Sequence, residues 1–156
     1  MPIQRPADAE PVEYRFVGFN AYIGHRVVAW RPGFVEVELK VRPELCNAGG
    51  ILHGGVLMTL LDSASGVAST FDERTGKRHW TVTMSFTTQF LKSARDGDTL
   101  TILGLRREGG GRSTFTTEAE IRDQHGDLVA CGTGTFRQTS RERDDGSLRR
   151  LKQAAE

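Results

Sequence analysis

The chain has 156 residues, of which 37% are hydrophobic and 26% charged, a composition that suits one ordinary soluble domain with a real core. A formal net charge of +1 argues against bulk electrostatic binding of nucleic acid, and no apolar run approaches the roughly 20 residues that span a bilayer. The two cysteines, Cys46 and Cys131, lie far apart in sequence and suggest neither a metal-ligand pair nor a disulfide framework.

Residues 1–12 are polar and proline-spotted and read as a flexible lead-in; their lack of an apolar core argues against a signal peptide and makes the cytoplasm the default compartment. Val12 to Ile23 mixes aromatic and polar residues and reads as a short helix. His25 to Trp30 and Phe34 to Val41 are strand-like, with Arg31-Pro32-Gly33 as the turn between them. The second run, FVEVELKV, alternates apolar and charged residues, so one of its faces is wet. The loop RPELCNAGGILHGG leads into a long helix.

From Gly54 to Phe71, GGVLMTLLDSASGVASTF, only Asp62 can carry a charge. At 100° per residue, Val56, Leu57, Leu60, Leu61, Ala64, Val67, Ala68 and Phe71 form one apolar stripe for the sheet. Asp62 falls on the far side with Met58, Thr59, Ser65, Gly66 and Ser69, small or uncharged residues where a solvated helix would carry Lys and Glu. The helix therefore reads as covered on both sides, the second cover being another subunit in a homo-oligomer.

Beyond it, DERTGKRH is a polar connection, followed by strands at Thr81–Leu91, Asp98–Arg106, Ser113–Arg122 and Leu128–Gln138. Turns at Asp96-Gly97, Gly109-Gly110-Gly111 and Gly126 favour hairpins. The charge-dense residues 140–156 read as a frayed tail or a short surface helix. The order gives an α+β fold with one helix against an antiparallel sheet, and a domain over residues 13–139.

A buried carboxylate is costly and is retained for catalysis or for a structural hydrogen bond. The His53-Gly54-Gly55 turn favours catalysis. Free N–H groups at a helix N-terminus suit a polarised carbonyl or an oxyanion, and glycine lets a substrate approach them. Asp62 lies about two turns further along, on a face that can reach the same cleft. No cluster of His, Cys and Asp has metal-ligand spacing.

At this point NAGGILHGGVLMTLLDSASG, with FLKSARDGDTL further on, resembles the signature of hotdog-fold acyl-CoA thioesterases of the PaaI-like subgroup, over about Gly18 to Gln138. The resemblance implies a hotdog fold: a long central helix wrapped by a curved antiparallel sheet, in a dimeric unit or a dimer of dimers, with sites at the dimer interface. It implies hydrolysis of an acyl-CoA thioester to a free acid and coenzyme A, without a cofactor. Asp62 would be nucleophile or general base, the Gly54 N–H would polarise the thioester carbonyl, and Asn47 would orient water or substrate. His53 would shape the turn near the thioester, and Thr83 would place a hydroxyl near the reacting water, with Thr81 and Ser85 on its face. Gly55, Met58 and Leu61 would lie near the acyl group. Coenzyme A would run along Phe90, Leu91, Lys92, Ser93 and Arg95 and the turn at Gly110, Gly111, Arg112 and Ser113; many relatives have Arg-Pro where this chain has Lys92-Ser93. The alternatives are an enoyl-thioester hydratase or dehydratase on the same fold and a non-catalytic acyl-CoA-binding module.

Overall fold

The structure, a computed structural model, describes residues 2–72, 75–107, 113–143 and 148–150. Its elements are β1 (Glu10–Tyr14), α1 (Gly18–Ile23), β2 (Arg26–Arg31), β3 (Phe34–Lys40), a 3-10 turn at Pro43–Leu45, α2 (Gly54–Ala68), β4 (Phe71–Asp72), β5 (Lys77–Phe90), β6 (Thr99–Arg106), β7 (Thr114–Arg122), β8 (Leu128–Glu142) and β9 (Leu148–Arg150). Among the described residues the strands form one antiparallel sheet in the order β4-β5-β8-β7-β6-β3-β2-β1-β9, curled around α2. This is the wrapped-helix architecture that the sequence implies.

Period-two patterning builds the sheet's two faces. In β3, Val35, Val37 and Leu39 are buried in the cluster that receives α2, while Glu38 points out to pair with Arg26 on the opposing position of β2. From α2 come Val56, Leu57, Leu60, Leu61, Ala64, Val67 and Ala68, all buried. Each fully buried leucine there contributes roughly 2 kcal/mol. Helix and sheet come close together at Gly104 of β6, where a Cβ would stand 2.7 Å from the Ala64 backbone.

Several elements differ from the sequence reading. The helix stops at Ala68, and Phe71 belongs to β4 instead of the helical stripe. Ser65 and Ser69, placed on the far side by angle, are buried. The helix expected from Val12 onward begins only at Gly18, because Val12 and Tyr14 lie in β1, which pairs with β2. The lead-in packs on the sheet face turned away from α2: Ile3 and Ala9 join Ala29, Phe34 and Leu103 in a second small core, and the Ile3 N–H donates to Glu120. The charged tail contributes strand rather than helix, since β8 runs to Glu142 and Leu148–Arg150 pairs with β1. The triple-glycine turn lies outside the described residues.

Candidate active site

The N-terminus of α2 is set by its own glycines. His53 is the N-cap, extended at φ −62 and ψ 134, and its Nδ1 accepts from the Gly55 N–H at 2.9 Å. A Cβ on Gly55 would fall 2.9 Å from that same nitrogen, so the cap needs a glycine there. His53 thus shapes the turn. Gly54, the first helical residue, donates to no described residue, which leaves one of the helix's orphan N–H groups free for a ligand. Asn47 holds the preceding loop by accepting from Gly49 N–H at 2.9 Å and from Ile51 N–H at 3.4 Å; its exposed amide NH₂ remains available.

Two turns on, Asp62 is half-buried, and its Oδ1 accepts from the Thr83 hydroxyl at 2.7 Å. A bulge in β5 makes this contact possible. Thr83 pairs with Phe136 but Ser85 pairs with Thr135, so Met84 is the extra residue. The extra residue corrects the expected register. Thr81 and Thr83 share the helix-facing side, whereas beyond the bulge Phe86, not Ser85, packs against the helix core and edge-on to Phe136. Thr81 marks the same side through its long contact, 3.5 Å, with the Gly66 carbonyl.

Asp62 and Thr83 open into a cavity of about 210 Å³. Its apolar walls are Tyr14, Phe16, Val17, Val67, Trp80 and Phe136. The polar lining includes Asn20, which accepts from the Ser63 hydroxyl at 2.9 Å, and Arg143, whose guanidinium stacks on Trp80 and Tyr14. Of these wall residues the sequence named only Val67, and that as part of the stripe facing the sheet. The only trace of the others was the aromatic content of residues 14–22, which becomes informative once β1 and α1 are known to lie over the middle of α2. Leu61, expected near the acyl group, is fully buried toward the sheet, while Met58 is 44% exposed.

The other sequence-selected residues gather at the two ends of the site elements. Phe90 lies against Gly54, Ile51 bridges to Arg95, and Leu52 N–H donates to the Ala94 carbonyl, so residues 90–95 flank the helix N-terminus. Phe90 and Leu91 are more than half exposed. Ser113 sits at the opposite end of β5, its carbonyl accepting from Gln138, the partner of Thr81. Gly110, Gly111 and Arg112 lie outside the described residues. Within one chain, Gly54 precedes Asp62 by about 12 Å along the helix axis, at a rise of about 1.5 Å per residue. The two groups therefore do not converge on one carbonyl in a single chain.

Charge is distributed unevenly over the coenzyme candidates. The Lys92 ammonium meets Asp123 and Asp127 at 2.6 Å each, and these carboxylates raise its pKa. In return Lys92 holds the Asp123 carboxyl down at about 2. Arg95 is exposed, and its side chain pairs with no described residue. Among the described residues no three His, Cys, Asp or Glu side chains come together as a metal site, and no helix is long and apolar enough to cross a membrane.

A family model described as the thioesterase superfamily matches residues 49–130. Human acyl-coenzyme A thioesterase 13 is 34% identical over 109 residues, spanning 70% of this chain and 76% of that protein. Among solved structures, the PaaI protein of the E. coli phenylacetic acid degradation operon superposes with a TM-score of 0.70 at 26% identity, covering 78% of this chain and 84% of its own. A Streptococcus pneumoniae hypothetical thioesterase protein with coenzyme A superposes at 0.69 with 29% identity, covering 81% and 94%.

Proposed function

The chain belongs to the thioesterase superfamily, and on that premise we propose that it hydrolyses an acyl-CoA thioester to a carboxylic acid and coenzyme A. The observation that carries the reading is the Asp62–Thr83 pair at the mouth of an apolar cavity, in a helix with no other ionisable side chain. Thr83 orients the carboxylate through Oδ1, which leaves Oδ2 to act. Asp62 drives the attack, either by taking a proton from water as the water oxygen adds to the carbonyl carbon or by adding itself. The negative charge that develops on the carbonyl oxygen is stabilised by the Gly54 N–H and the dipole of its helix. The carbon–sulfur bond then breaks, the thiolate being a good leaving group. On the water route the proton taken up by Asp62 passes to the thiolate. On the direct route water then cleaves the acyl–Asp62 anhydride, releasing the acid and restoring the carboxylate while a proton of that water neutralises the thiolate.

The two halves of this machinery meet across a homodimer. From His79 to Phe90 the outer edge of β5 pairs with no described strand, since β4 reaches only Lys77 and Arg78. The stretch TVTMSFTTQF carries no charge and no proline, and Val82 and Met84 are 49% and 60% exposed. An uncovered edge of that kind is an aggregation hazard unless another strand takes it. Antiparallel pairing of two β5 edges about a two-fold axis brings the Phe90 end of one strand to the Thr83 end of the other. Gly54 and Asn47 of the partner subunit then face Asp62. Coenzyme A enters past the residues that flank the helix N-terminus, where Arg95 is the unpaired cation for a phosphate.

Asp62→Asn tests the assignment. The variant is isosteric and still meets Thr83, so it is expected to keep its melting temperature while thiol release from acyl-CoA falls about 10³-fold. Hydrolysis at the wild-type rate by the folded Asn variant removes Asp62 from the chemistry.

A further inference from the structure

Glycine in a helix interior is unfavourable relative to alanine, so a helical glycine calls for a reason. At three glycines of the strands the reason is steric. A Cβ would stand 2.7 Å from backbone at Gly104, 2.5 Å from the Phe86 ring at Gly132 and 2.4 Å from it at Gly134. Gly66, one turn after Asp62 in α2, has no such reason. A Cβ there meets only Thr81 Oγ1 at 3.6 Å and Phe136 Cε1 at 3.8 Å, ordinary contact distances. The backbone at Gly66 is helical, without a positive φ. Nothing in the fold therefore forbids a side chain at position 66, and the space it would fill is the cavity beside Asp62.

We propose that Gly66 determines acyl size: its missing side chain forms the floor of the pocket that receives the acyl group, and the pocket takes compact acyl groups and excludes long chains. This rests on the hydrolase reading for the position of the thioester, and goes beyond it by naming the substrate class and the residue that sets it. With the carbonyl carbon at Asp62 and coenzyme A leaving toward the helix N-terminus of the partner subunit, the acyl group enters the cavity beside Asp62, over Gly66 and Val67 and under Tyr14, Phe16 and Trp80. The Arg143 guanidinium, stacked on Trp80 and Tyr14, lies in the far wall. A cavity of about 150 Å³ accommodates benzene, so 210 Å³ takes one ring with a short linker or a chain of about six to eight carbons. A palmitoyl chain exceeds that volume and would have to leave part of its length outside the pocket. Walls of aromatic and aliphatic side chains reward apolar area, and one or two methylenes in such a pocket discriminate about 10- to 200-fold.

The test compares wild type, Gly66→Ala and Gly66→Val by acyl preference rather than absolute rate. Thiol release is measured with acetyl-, octanoyl- and palmitoyl-CoA, and equilibrium binding with the non-hydrolysable thioether analogues of the same three. Wild type is expected to prefer octanoyl over both others. In Gly66→Val the octanoyl-to-acetyl ratio of kcat/KM, and the matching ratio of affinities, should fall at least about tenfold, with Gly66→Ala intermediate. A melting curve for Gly66→Ala at or above that of wild type shows that the substitution fills space instead of breaking the helix. An octanoyl-to-acetyl ratio that stays the same in Gly66→Val, in turnover and in binding, overturns the proposal, as does wild type preferring palmitoyl. Chain-length-dependent binding that Gly66→Val abolishes, without thiol release by wild type, leaves the pocket standing and removes only the hydrolase reading.

Discussion

One backbone hydrogen can be removed from the site almost in isolation. Gly54 is the first residue of α2, where proline is tolerated because the N–H has no helical partner. His53 already has the extended backbone that a following proline requires, and a Cβ at position 54 would make only ordinary contact with Phe90 at 3.6 Å. Gly54→Pro is therefore expected to fold and melt like wild type while kcat for thiol release falls about 10²- to 10³-fold, the loss typical of one oxyanion donor. A second residue-scale prediction concerns stability. His25 is buried against Phe16, ring centroids 4.2 Å apart, and desolvation lowers its pKa from 6.5 to about 4. The unfolded chain thus binds the proton more tightly than the folded one, and stability present above pH 6.5 is lost as pH falls from 6.5 toward 4. The loss amounts to about 3 kcal/mol at the acid end, and His25→Phe should flatten that part of the denaturant-midpoint profile. An unchanged slope would place the acid sensitivity elsewhere. At this scale Asp62 was legible as the one ionisable group in an apolar helix. Its contact with Thr83 was not legible: the resemblance named Thr83 only as a hydroxyl near the reacting water, and period-two reasoning kept Thr81 and Ser85 on the same face.

Among elements, α2 was the easiest to read because a 3.6-residue apolar stripe over fifteen residues has few alternatives. The β5 bulge left no mark in the sequence: an extra residue such as Met84 changes the phase of the alternation, and the run TVTMSFTTQF alternates too weakly to expose the change. β9 was hidden for a related reason, since LRR resembles any charged tail until β1 is present to pair with it. The tight helix–sheet contact at Gly104 gives the test at this scale. At Gly104 an added methyl must displace the Ala64 backbone, 2.7 Å away, and tilt α2 off β6. Gly104→Ala should cost about 1 to 3 kcal/mol of unfolding free energy, read as a lower urea midpoint with an unchanged m-value. Gly66→Ala in the same helix should have the opposite sign, because there the added methyl meets no backbone and the helix gains propensity. If the two substitutions behaved alike, the distinction between a packing glycine and a cavity glycine would be lost.

For the whole molecule, the sequence named a glycine turn and a carboxylate but did not place them relative to one another. The glycine turn and the carboxylate both lie on α2, and reading along one helix suggested a shared cleft. The rise per residue sets them about 12 Å apart, Gly54 against Phe90 at the end of β5 and Asp62 against Thr83 in its middle. An exposed β5 edge, uncharged over residues 81–90, supplies a reason for two chains to pair and thereby bring Phe90 of one near Thr83 of the other. Complementation between two inactive variants tests this most directly. Asp62→Asn and Gly54→Pro are each expected to be nearly inactive; unfolded together and refolded as a mixture, half of the dimers are mixed, and each mixed dimer holds one site with both wild-type groups. The account predicts that thiol release recovers to about a quarter of the wild-type rate in the equimolar mixture. A mixture no more active than its separate components would contradict it.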